Sequence, residues 1–277
     1  RIPLIGYALR LLAHNGIREV VVNTHHLGSQ IQSSLGDGKQ FGVSITYSEE
    51  EDILGTGGGL KKMHHYLADD TFVVINSDTL IDLDLKRVID FHRAHGALAT
   101  MVLRDQPEVG GYGQIEIDDA GRLRRILGQG VYEGSLRSLM FTGVHILEPR
   151  FLEYIPPDVE TCINRYAYMK ALSNDEKLFG FVMNGYWADA GTPARYLQVN
   201  LDAVDQAMTL AHLDPLAGYA LAPKRDGVEV VRMGENVELG SDVRLLPPVV
   251  LGDGCRIGDN AVVGPYCVLG DRVVVAR

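Results

Sequence analysis

The chain is poor in cysteine, in long apolar runs and in positive charge, and each deficit removes a class of protein. It has three cysteines and no CxxC pair, which fits reduced thiols in the cytoplasm. No apolar run is long enough to span a membrane, and no signal peptide is recognisable. The net charge of −10 argues against nucleic acid or an anionic membrane as a partner. We therefore expect a cytoplasmic protein that binds neither nucleic acid nor a membrane.

The chain does have an ordinary globular composition and a regular alternation of strands and helices. Its 277 residues, 46% of them hydrophobic, suffice for a full α/β domain with a smaller companion. The pattern predicts a helix that starts near residue 4 and stops at 14–16, a strand over 17–23, a helix over 27–35 and a strand over 43–47. This alternation is typical of a doubly wound sheet.

One apolar run in this pattern ends abruptly in polar residues. Residues 72–75 (FVVI) fit a strand that is buried on both faces of a parallel sheet, and Asn76, Ser77 and Asp78 follow it. Ligands bind beyond the carboxyl ends of such strands, where a carboxylate can hold Mg²⁺ against a phosphate. Asp78 could equally cap the following turn, and this run alone favours neither interpretation.

A second carboxylate, Asp189, lies on a glycine-bounded loop between a predicted strand over 178–183 and a predicted helix. Thr192 and Pro193 suit the N-cap and first turn of that helix. Taken alone, Asp189 would be a turn residue. Two strand-end carboxylates of one α/β domain can instead share a single Mg²⁺, and on this basis we predict Asp78 and Asp189 as the catalytic metal ligands.

Four glycines within five residues precede a helix that is predicted to start near Leu60. Gly55 and 57–59 would let the backbone approach a ligand closely, although the motif is neither a Walker loop nor a GxGxxG fingerprint. The acidic residues just before it suit hydrogen bonds to the donor groups of a nucleobase. A flexible acidic loop before a helix is the alternative.

Further along, alternating residues over 112–118 and 122–127 predict an antiparallel hairpin that could cover a second substrate.

The last part of the chain repeats every six residues. The repeated apolar position is held in turn by Val231, Val237, Val243, Val249, Cys255, Ala261, Cys267 and Val273. Such a repeat indicates a β-helix in which each hexapeptide forms one short strand and small apolar residues point inward. We predict a catalytic domain over 1–208, a linker over 209–226 and a left-handed β-helix over 227–277, through which copies of the chain associate into a homo-oligomer.

Seven stretches spread over the chain carry a family resemblance. They are PLIGYALRLLAHNGI, VVVNTHH, LGTGGGL, VINSDTLIDLDL, GGYGQIEID, FTGVHILEP and GYWADAGTPARYL. Together they resemble the sugar-1-phosphate nucleotidyltransferases, also called nucleotide-sugar pyrophosphorylases. The resemblance is closest to the mannose-1-phosphate guanylyltransferase branch, which joins a Rossmann-like catalytic domain with a mixed sheet to a short left-handed β-helix.

The resemblance implies a role for each matching residue. It implies that Asp78 and Asp189 bind the catalytic Mg²⁺. The nucleotide-binding set that it implies is Glu50, Gly55, Thr56, Gly57, Gly58, Gly59 and Asn76. The sugar-binding set that it implies is Tyr112, Gly113, Thr142 and Gly143.

Three departures from the family pattern are visible. The family's first strand and its GxGTR-type loop, which supplies an Arg and a Lys to the triphosphate, are not found upstream of Arg1, and we expect a chain without them to be inactive. Ser77 replaces the usual glycine before the metal aspartate. The Glu-Lys-Pro motif that contacts the sugar phosphate is not recognisable between Ile126 and Leu139, where Glu133 is the only acidic residue.

The implied activity is Mg²⁺-dependent transfer of a nucleoside monophosphate from an NTP to a sugar 1-phosphate, with release of pyrophosphate. GTP and mannose 1-phosphate, giving GDP-mannose, are the preferred substrates by resemblance. Uridylyl transfer to glucose 1-phosphate or another hexose phosphate is one alternative, and a catalytically silent homologue that binds nucleotide sugar is another. Acyl transfer by the β-helix is disfavoured because the last histidine, His212, precedes the repeats.

Overall fold

A computed structural model of the protein describes residues 2–105, 114–221 and 231–276. The chain divides into two compact units, Arg1–Trp187 and Ala188–Arg277. In the described ranges no helix combines the length and the apolar character that crossing a membrane requires.

The first unit alternates helices and strands, as the sequence pattern predicts. Its α-helices are α1 (Leu4–His14), α2 (Gly28–Leu35), α3 (Gly55–Lys62), α4 (His64–Leu67), α5 (Leu85–His95) and α6 (Met169–Ser173). Short 3-10 helices cover Lys39–Phe41 and Pro149–Tyr154, and a π-helix covers Ile163–Tyr168. Its strands are β1 (Glu19–Thr24), β2 (Ser44–Glu49), β3 (Phe72–Ile75), β4 (Thr79–Ile81), β5 (Ala99–Arg104), β6 (Gln114–Ile117), β7 (Leu123–Ile126), β8 (Arg137–Leu147) and β9 (Leu178–Met183). The strand β10 (Trp187–Asp189) straddles the division between the units.

The central sheet is mixed. Its strands lie in the order β7, β6, β8, β5, β9, with β3 on the edge of β8 that β5 leaves open, while β1 and β2 form a separate parallel pair. β5 and β9 are parallel, whereas β3, β5 and β6 all run antiparallel to β8. The mixed α/β class is therefore confirmed, and the predicted antiparallel hairpin is present as β6 and β7.

One prediction about β3 is wrong. Its four residues are partly buried, not buried on both faces, and its neighbour in the described sheet, β8, runs antiparallel to it. An apolar run marks a buried strand but does not encode the direction of its neighbour, which depends on how distant segments connect.

Two histidine side chains are buried in the first unit. His92, on the inner face of α5, is 1% exposed and lies between the Thr100 hydroxyl, 2.8 Å away, and the Glu148 carboxylate, 3.0 Å away. His145 of β8 is also 1% exposed, and its Nδ1 forms a hydrogen bond with the Tyr168 hydroxyl at 2.9 Å. Burial lowers the pKa of His145 to about 3, because water cannot solvate a charged imidazole there.

This buried histidine predicts an acid-sensitive fold. The unfolded chain takes up a proton at the ordinary histidine pKa of 6.5, while the folded chain takes it up only near pH 3. The free energy of unfolding should therefore fall by about 1.4 kcal/mol per pH unit from this residue as pH drops from 6.5 towards 3. Urea titrations across that range should show a shallower decline for His145→Asn, which keeps a hydrogen-bonding group beside the Tyr168 hydroxyl. Tyr168→Phe retains the imidazole and should keep the wild-type slope; equal slopes in all three proteins would contradict this account.

The second unit contains a helix and a parallel β-helix. The helix α7 (Pro193–Val204) is followed by β11 (Ala220–Leu221) and by the β-helix strands β12 (Val231–Met233), β13 (Glu238–Leu239), β14 (Arg244–Leu245), β15 (Val249–Leu251), β16 (Arg256–Ile257), β17 (Val262–Val263), β18 (Cys267–Leu269) and β19 (Val274–Val275). The strands β12 to β16 each pair in parallel with the strand 18 residues further on, as in Val231↔Val249 and Val249↔Cys267. Three hexapeptides thus make one coil, which confirms the β-helix; its left-handed sense stays a prediction.

The corners of the β-helix are held by aspartates. The carboxylates of Asp253 and Asp259 accept the backbone N–H groups of Glu235 and Ser241 in the preceding coil, each at 2.8 Å. Glycines 234 and 240 lie against these carboxylates and leave no room for a side chain. Coil stacking therefore explains the repeat glycines at 234 and 240.

The segment predicted as a linker is tied to this β-helix where the structure describes it. The Arg232 guanidinium contacts the Asp214 carboxylate at 3.1 Å and the Leu216 carbonyl at 3.2 Å. Ala220 of β11 pairs antiparallel with Met233. Residues 222–226 lie outside the described residues, and the domain limits 1–208, 209–226 and 227–277 stay predictions.

Candidate functional site

The first feature of the site is a gap in the hydrogen-bonding edge of β8. On the edge opposite β5, β6 pairs with residues 137–140 of β8 and β3 pairs with residues 144–147. Residues 141–143 between them, called here the β8 gap, have no strand beside them on that edge within the described sheet. The end of β3 and the start of β6 both point at this gap.

The β8 gap brings the predicted nucleotide and sugar segments together. The Asn76 N–H, just past β3, donates to the Gly143 carbonyl at 2.9 Å. Gly143 has a φ of +91°, and a Cβ at this position would meet the Thr79 hydroxyl at 2.9 Å and the Asn76 amide at 3.0 Å. Only glycine therefore fits. Asp78, partly buried, lies between Asn76 and Thr79 in the turn that Gly143 contacts.

Thr142 forms hydrogen bonds within the first unit. Its side chain is 1% exposed, and its hydroxyl donates to the Val102 carbonyl at 2.8 Å. Its own carbonyl accepts the indole N–H of Trp187 at 2.8 Å. The only tryptophan of the chain is thereby anchored to the β8 gap, which the sequence did not predict. Tyr112 and Gly113, the other predicted sugar residues, lie outside the described residues; Gln114, which follows them, opens β6 opposite Met140.

The glycine-rich segment is a helix and not a loop. The helix predicted to start near Leu60 starts at Gly55, and the buried residues Gly57, Gly58 and Gly59 form part of its first two turns. A Cβ on Gly58 would lie 2.8 Å from the Val159 carbonyl oxygen, and the Gly57 N–H donates to the Thr161 carbonyl at 2.7 Å. Close packing against residues 159–161 overrides the low helix propensity of glycine. Of the predicted nucleotide contacts, Thr56 is exposed at the start of this helix.

Glu50 connects the first strand pair to this helix. Its Oε1 accepts the Asn23 side-chain amide at 3.0 Å, and its Oε2 accepts the Leu54 N–H at 3.1 Å. Gly59 packs directly on the Asn23 amide and the Glu50 carboxylate. Glu50 and the glycine helix are therefore one assembly at the carboxyl ends of β1 and β2. The residues around Asn23 in the sequence did not indicate that it contacts Glu50.

Asp189 belongs to the second unit, where Gly191 and Arg195 form hydrogen bonds with its carboxylate. Its Oδ1 accepts the Gly191 N–H at 2.7 Å, and its Oδ2 lies 3.0 Å from Nη1 of Arg195. The hydroxyl of Thr192 accepts the Arg195 N–H, so the predicted N-cap is confirmed. The Asp189 carboxylate, 19% exposed, is thus oriented by an arginine on the first turn of α7, a partner that the sequence reasoning missed.

Asp78 lies in the first unit and Asp189 in the second, so their shared metal site stays a prediction. Within residues 2–105, 114–221 and 231–276, no three His, Cys, Asp or Glu side chains are grouped to hold a metal by themselves.

Two family models match this chain. Residues 1–206 match the model described as nucleotidyl transferase. Residues 231–265 match the model described as bacterial transferase hexapeptide (six repeats). The first match ends two residues after α7.

Curated relatives and solved structures agree with these matches. The chain is 30% identical to a UTP–glucose-1-phosphate uridylyltransferase of Synechocystis sp., over 89% of this chain and 69% of the relative. It is 30% identical to a mannose-1-phosphate guanylyltransferase of Mycobacterium tuberculosis, over 73% of this chain but only 56% of the relative, so it spans little more than half of that protein. The crystal structure of HddC from Yersinia pseudotuberculosis superposes with a TM-score of 0.57 at 24% identity, covering 69% of this chain and 82% of HddC, and shows the shared fold.

Proposed function

Because this chain belongs to the sugar-1-phosphate nucleotidyltransferases with a C-terminal hexapeptide repeat, we propose that the full protein joins mannose 1-phosphate to GMP from GTP. A phosphate oxygen of the sugar 1-phosphate, already ionised at neutral pH, attacks the α-phosphorus of the nucleotide. A new P–O bond forms, the bond to the β-phosphate breaks, and pyrophosphate leaves with the electron pair. No general base is needed, so catalysis rests on positioning and on charge neutralisation.

The observation that carries this proposal is the contact between Gly143 and the turn around Asp78. Gly143 belongs to the sugar-binding set, and Asn76, whose N–H it accepts at 2.9 Å, belongs to the nucleotide-binding set. Two substrates that react with each other must meet, and this contact supports the proposal because it joins one residue of each predicted set at one edge of β8. Glu50 and the glycine helix would hold the base, and Tyr112 and Gly113 would line the sugar.

Asp78 and Asp189 fit Mg²⁺ by their donor chemistry. Carboxylate oxygens are the hard ligands that Mg²⁺ prefers, and an ionised carboxylate has about four lone-pair sites. The two oxygens of Asp189 accept the Gly191 N–H and an Arg195 N–H, and a carboxylate can accept such bonds while it also binds a metal. When bound, Mg²⁺ would neutralise charge on the phosphate that is being transferred. Gly191 and Arg195 orient the Asp189 carboxylate, and the Gly143–Asn76 hydrogen bond fixes the turn that carries Asp78.

Uridylyl transfer to glucose 1-phosphate is the second candidate. The relative from Synechocystis sp. with that name covers 89% of this chain, more than the guanylyltransferase from Mycobacterium tuberculosis does. The test is pyrophosphate release by the natural full-length protein with GTP, UTP, ATP and dTTP, each paired with mannose 1-phosphate and glucose 1-phosphate. Fastest release with GTP and mannose 1-phosphate is expected. Preference for UTP and glucose 1-phosphate would replace the proposal by the second candidate, and no release with any pair would indicate a silent homologue.

The β-helix is proposed to mediate self-association. Its interior is filled by apolar side chains and by Cys255, and its outer surface carries exposed Val262, Val268 and Val274. Deleting residues 231–277 should lower the oligomeric state measured by light scattering and lower the melting temperature, while nucleotide binding persists. A monomer both with and without the segment would exclude this role, and loss of all nucleotide binding would place the segment in the site.

A further inference from the structure

The last two residues of β1 and the residue that follows them hold Glu50 at three points. The Asn23 side-chain amide donates to its Oε1 at 3.0 Å. The Thr24 carbonyl accepts its N–H at 2.8 Å, and Nδ1 of His25 bonds its carbonyl oxygen at 2.9 Å. A carbonyl oxygen can only accept, so Nδ1 of His25 is the donor. The main chain and the side chain of Glu50 are therefore both fixed by one segment, residues 23–25.

The second oxygen of the Glu50 carboxylate has a partner in another segment. Its Oε2 accepts the N–H of Leu54, the N-cap residue of α3, at 3.1 Å. The carboxylate thus bridges the end of β1 and the start of the glycine helix. Two donors from separate parts of the chain determine how it is turned.

The fold leaves room for the Asn23 amide at Gly59 of α3. A Cβ on Gly59 would overlap the side-chain nitrogen of Asn23 and would lie 2.7 Å from Oε1 of Glu50. Any side chain at position 59 would therefore displace the amide from the carboxylate. The glycine permits the hydrogen bond between Asn23 and Glu50.

Hydrogen bonds orient the Glu50 carboxylate without cancelling its charge. In the part of the chain that the structure describes, no ion pair neutralises this side chain. The carboxylate therefore remains a strong acceptor for the N–H groups of a ligand. Glu50 follows β2 directly, and ligands of α/β sheets bind beyond the carboxyl ends of parallel strands.

An oriented carboxylate fits the edge of guanine better than that of uracil. Guanine presents N–H groups at N1 and N2 side by side, and the two oxygens of one carboxylate can accept both. Uracil presents a single N–H, at N3, between two carbonyl oxygens that a carboxylate repels. A site built for such bonds rejects a base that lacks the donors, provided that the carboxylate keeps its orientation.

We propose that Asn23 is a positioning residue for nucleobase selection: it holds the Glu50 carboxylate in the orientation that accepts N1–H and N2–H of guanine. This assignment rests on the proposed function, because it supposes that the base of the NTP lies at Glu50. Asn23 acts through Glu50, so its loss should change selection among nucleotides and leave the sugar 1-phosphate unaffected.

The test is steady-state kinetics of the natural full-length protein with Asn23→Asp and Asn23→Ala. Aspartate keeps the size of asparagine but replaces the donor by an acceptor that repels Glu50. KM for GTP should rise about tenfold in Asn23→Asp and several-fold in Asn23→Ala, while KM for the sugar 1-phosphate changes less than about twofold. Asn200→Asp, the same change at an exposed position of α7, is the matched control and should leave both constants unaltered.

Inosine triphosphate isolates the contact at N2, because inosine lacks the amino group of guanosine there. Wild type should prefer GTP to inosine triphosphate about tenfold in kcat/KM, the usual effect of one hydrogen bond to a charged group. Asn23→Asp should bring this ratio close to one. A ratio that Asn23→Asp and Asn23→Ala both leave at the wild-type value would overturn the assignment.

A double-mutant cycle checks that Asn23 acts through Glu50. In a Glu50→Ala background the carboxylate is absent, so Asn23→Asp should add no further rise in KM for GTP. Additive effects of the two substitutions would overturn the assignment. Thermal melting of all variants provides the check on folding. Asn23 is exposed, and Asn23→Ala introduces no charge beside Glu50, so this variant gives the measurement if Asn23→Asp does not fold.

A binding measurement separates this assignment from the proposed function. Calorimetric titration with GTP, without sugar 1-phosphate, should show weaker binding to Asn23→Asp than to wild type. Turnover whose nucleotide selection is insensitive to Asn23 would overturn the assignment and leave the proposed function standing. Absence of turnover, with GTP binding that Asn23→Asp still weakens, would overturn the proposed function and retain Asn23 as the residue that positions Glu50.

Discussion

Asp78→Asn in the natural full-length protein is expected to lower kcat about a thousandfold or more at saturating Mg²⁺, without loss of the fold. Asparagine keeps the size of the side chain but loses the charge that would hold a divalent cation. The main-chain contact between Asn76 and Gly143 does not involve the Asp78 side chain, so the turn should keep its place. Asp189→Asn should give a comparable loss, because it removes the charge of the second carboxylate that is predicted to hold the cation.

Asp69→Asn provides the matched control for these variants. Asp69 is exposed in the segment before β3, so the same chemical change there should leave kcat unaltered. Binding of Mn²⁺ followed by electron paramagnetic resonance gives a second readout that does not depend on turnover, and both site variants should bind the ion more weakly. Near wild-type kcat in either variant would exclude that residue as a metal ligand.

Gly58→Val is expected to lower the free energy of unfolding by about 3 kcal/mol, the upper part of the usual range for overpacked sites. A Cβ at this position would lie 2.8 Å from both the Val159 carbonyl oxygen and the Leu54 Cβ, and valine adds two further carbons. Backbone cannot give way as the tip of a flexible side chain can, so α3 must move away from residues 159–161. Urea denaturation measures this loss.

The control for Gly58→Val is Thr56→Val, two residues earlier on the exposed side of the same helix. Its free energy of unfolding should change by less than about 0.5 kcal/mol, as is usual at exposed sites. The pair also separates the two explanations of the glycines. If Gly58 instead served close approach of a ligand, Gly58→Val would weaken nucleotide binding and leave stability unchanged.

Much of the architecture follows from periodic patterns in the sequence. The six-residue repeat is local, so it indicated the β-helix without any knowledge of which strands pair. The N-cap at Thr192 and the helix stop at residues 14–16 are likewise signalled within a few residues, and the structure has both. The matching stretches indicated the family, and the family models and relatives confirm it.

The glycine segment shows where local signals fail. Four glycines in five residues predict a loop, because glycine is a poor helix former. In the structure they lie in a helix, because residues about a hundred positions further on pack against that face and exclude any side chain. Helix propensity depends on the segment itself, whereas the residues that pack against this segment lie elsewhere in the sequence.

The sequence by itself determined the class of the fold, the coil of the tail and the residue types that the chemistry requires. Only the tertiary structure decided which of those residues meet. β3 and β6 pair with different residues along the same edge of β8, and this leaves the β8 gap between them. The same register places Gly143 against Asn76. Strand order, register and burial depend on the energy of contacts between distant segments, and no window of neighbouring residues contains that information.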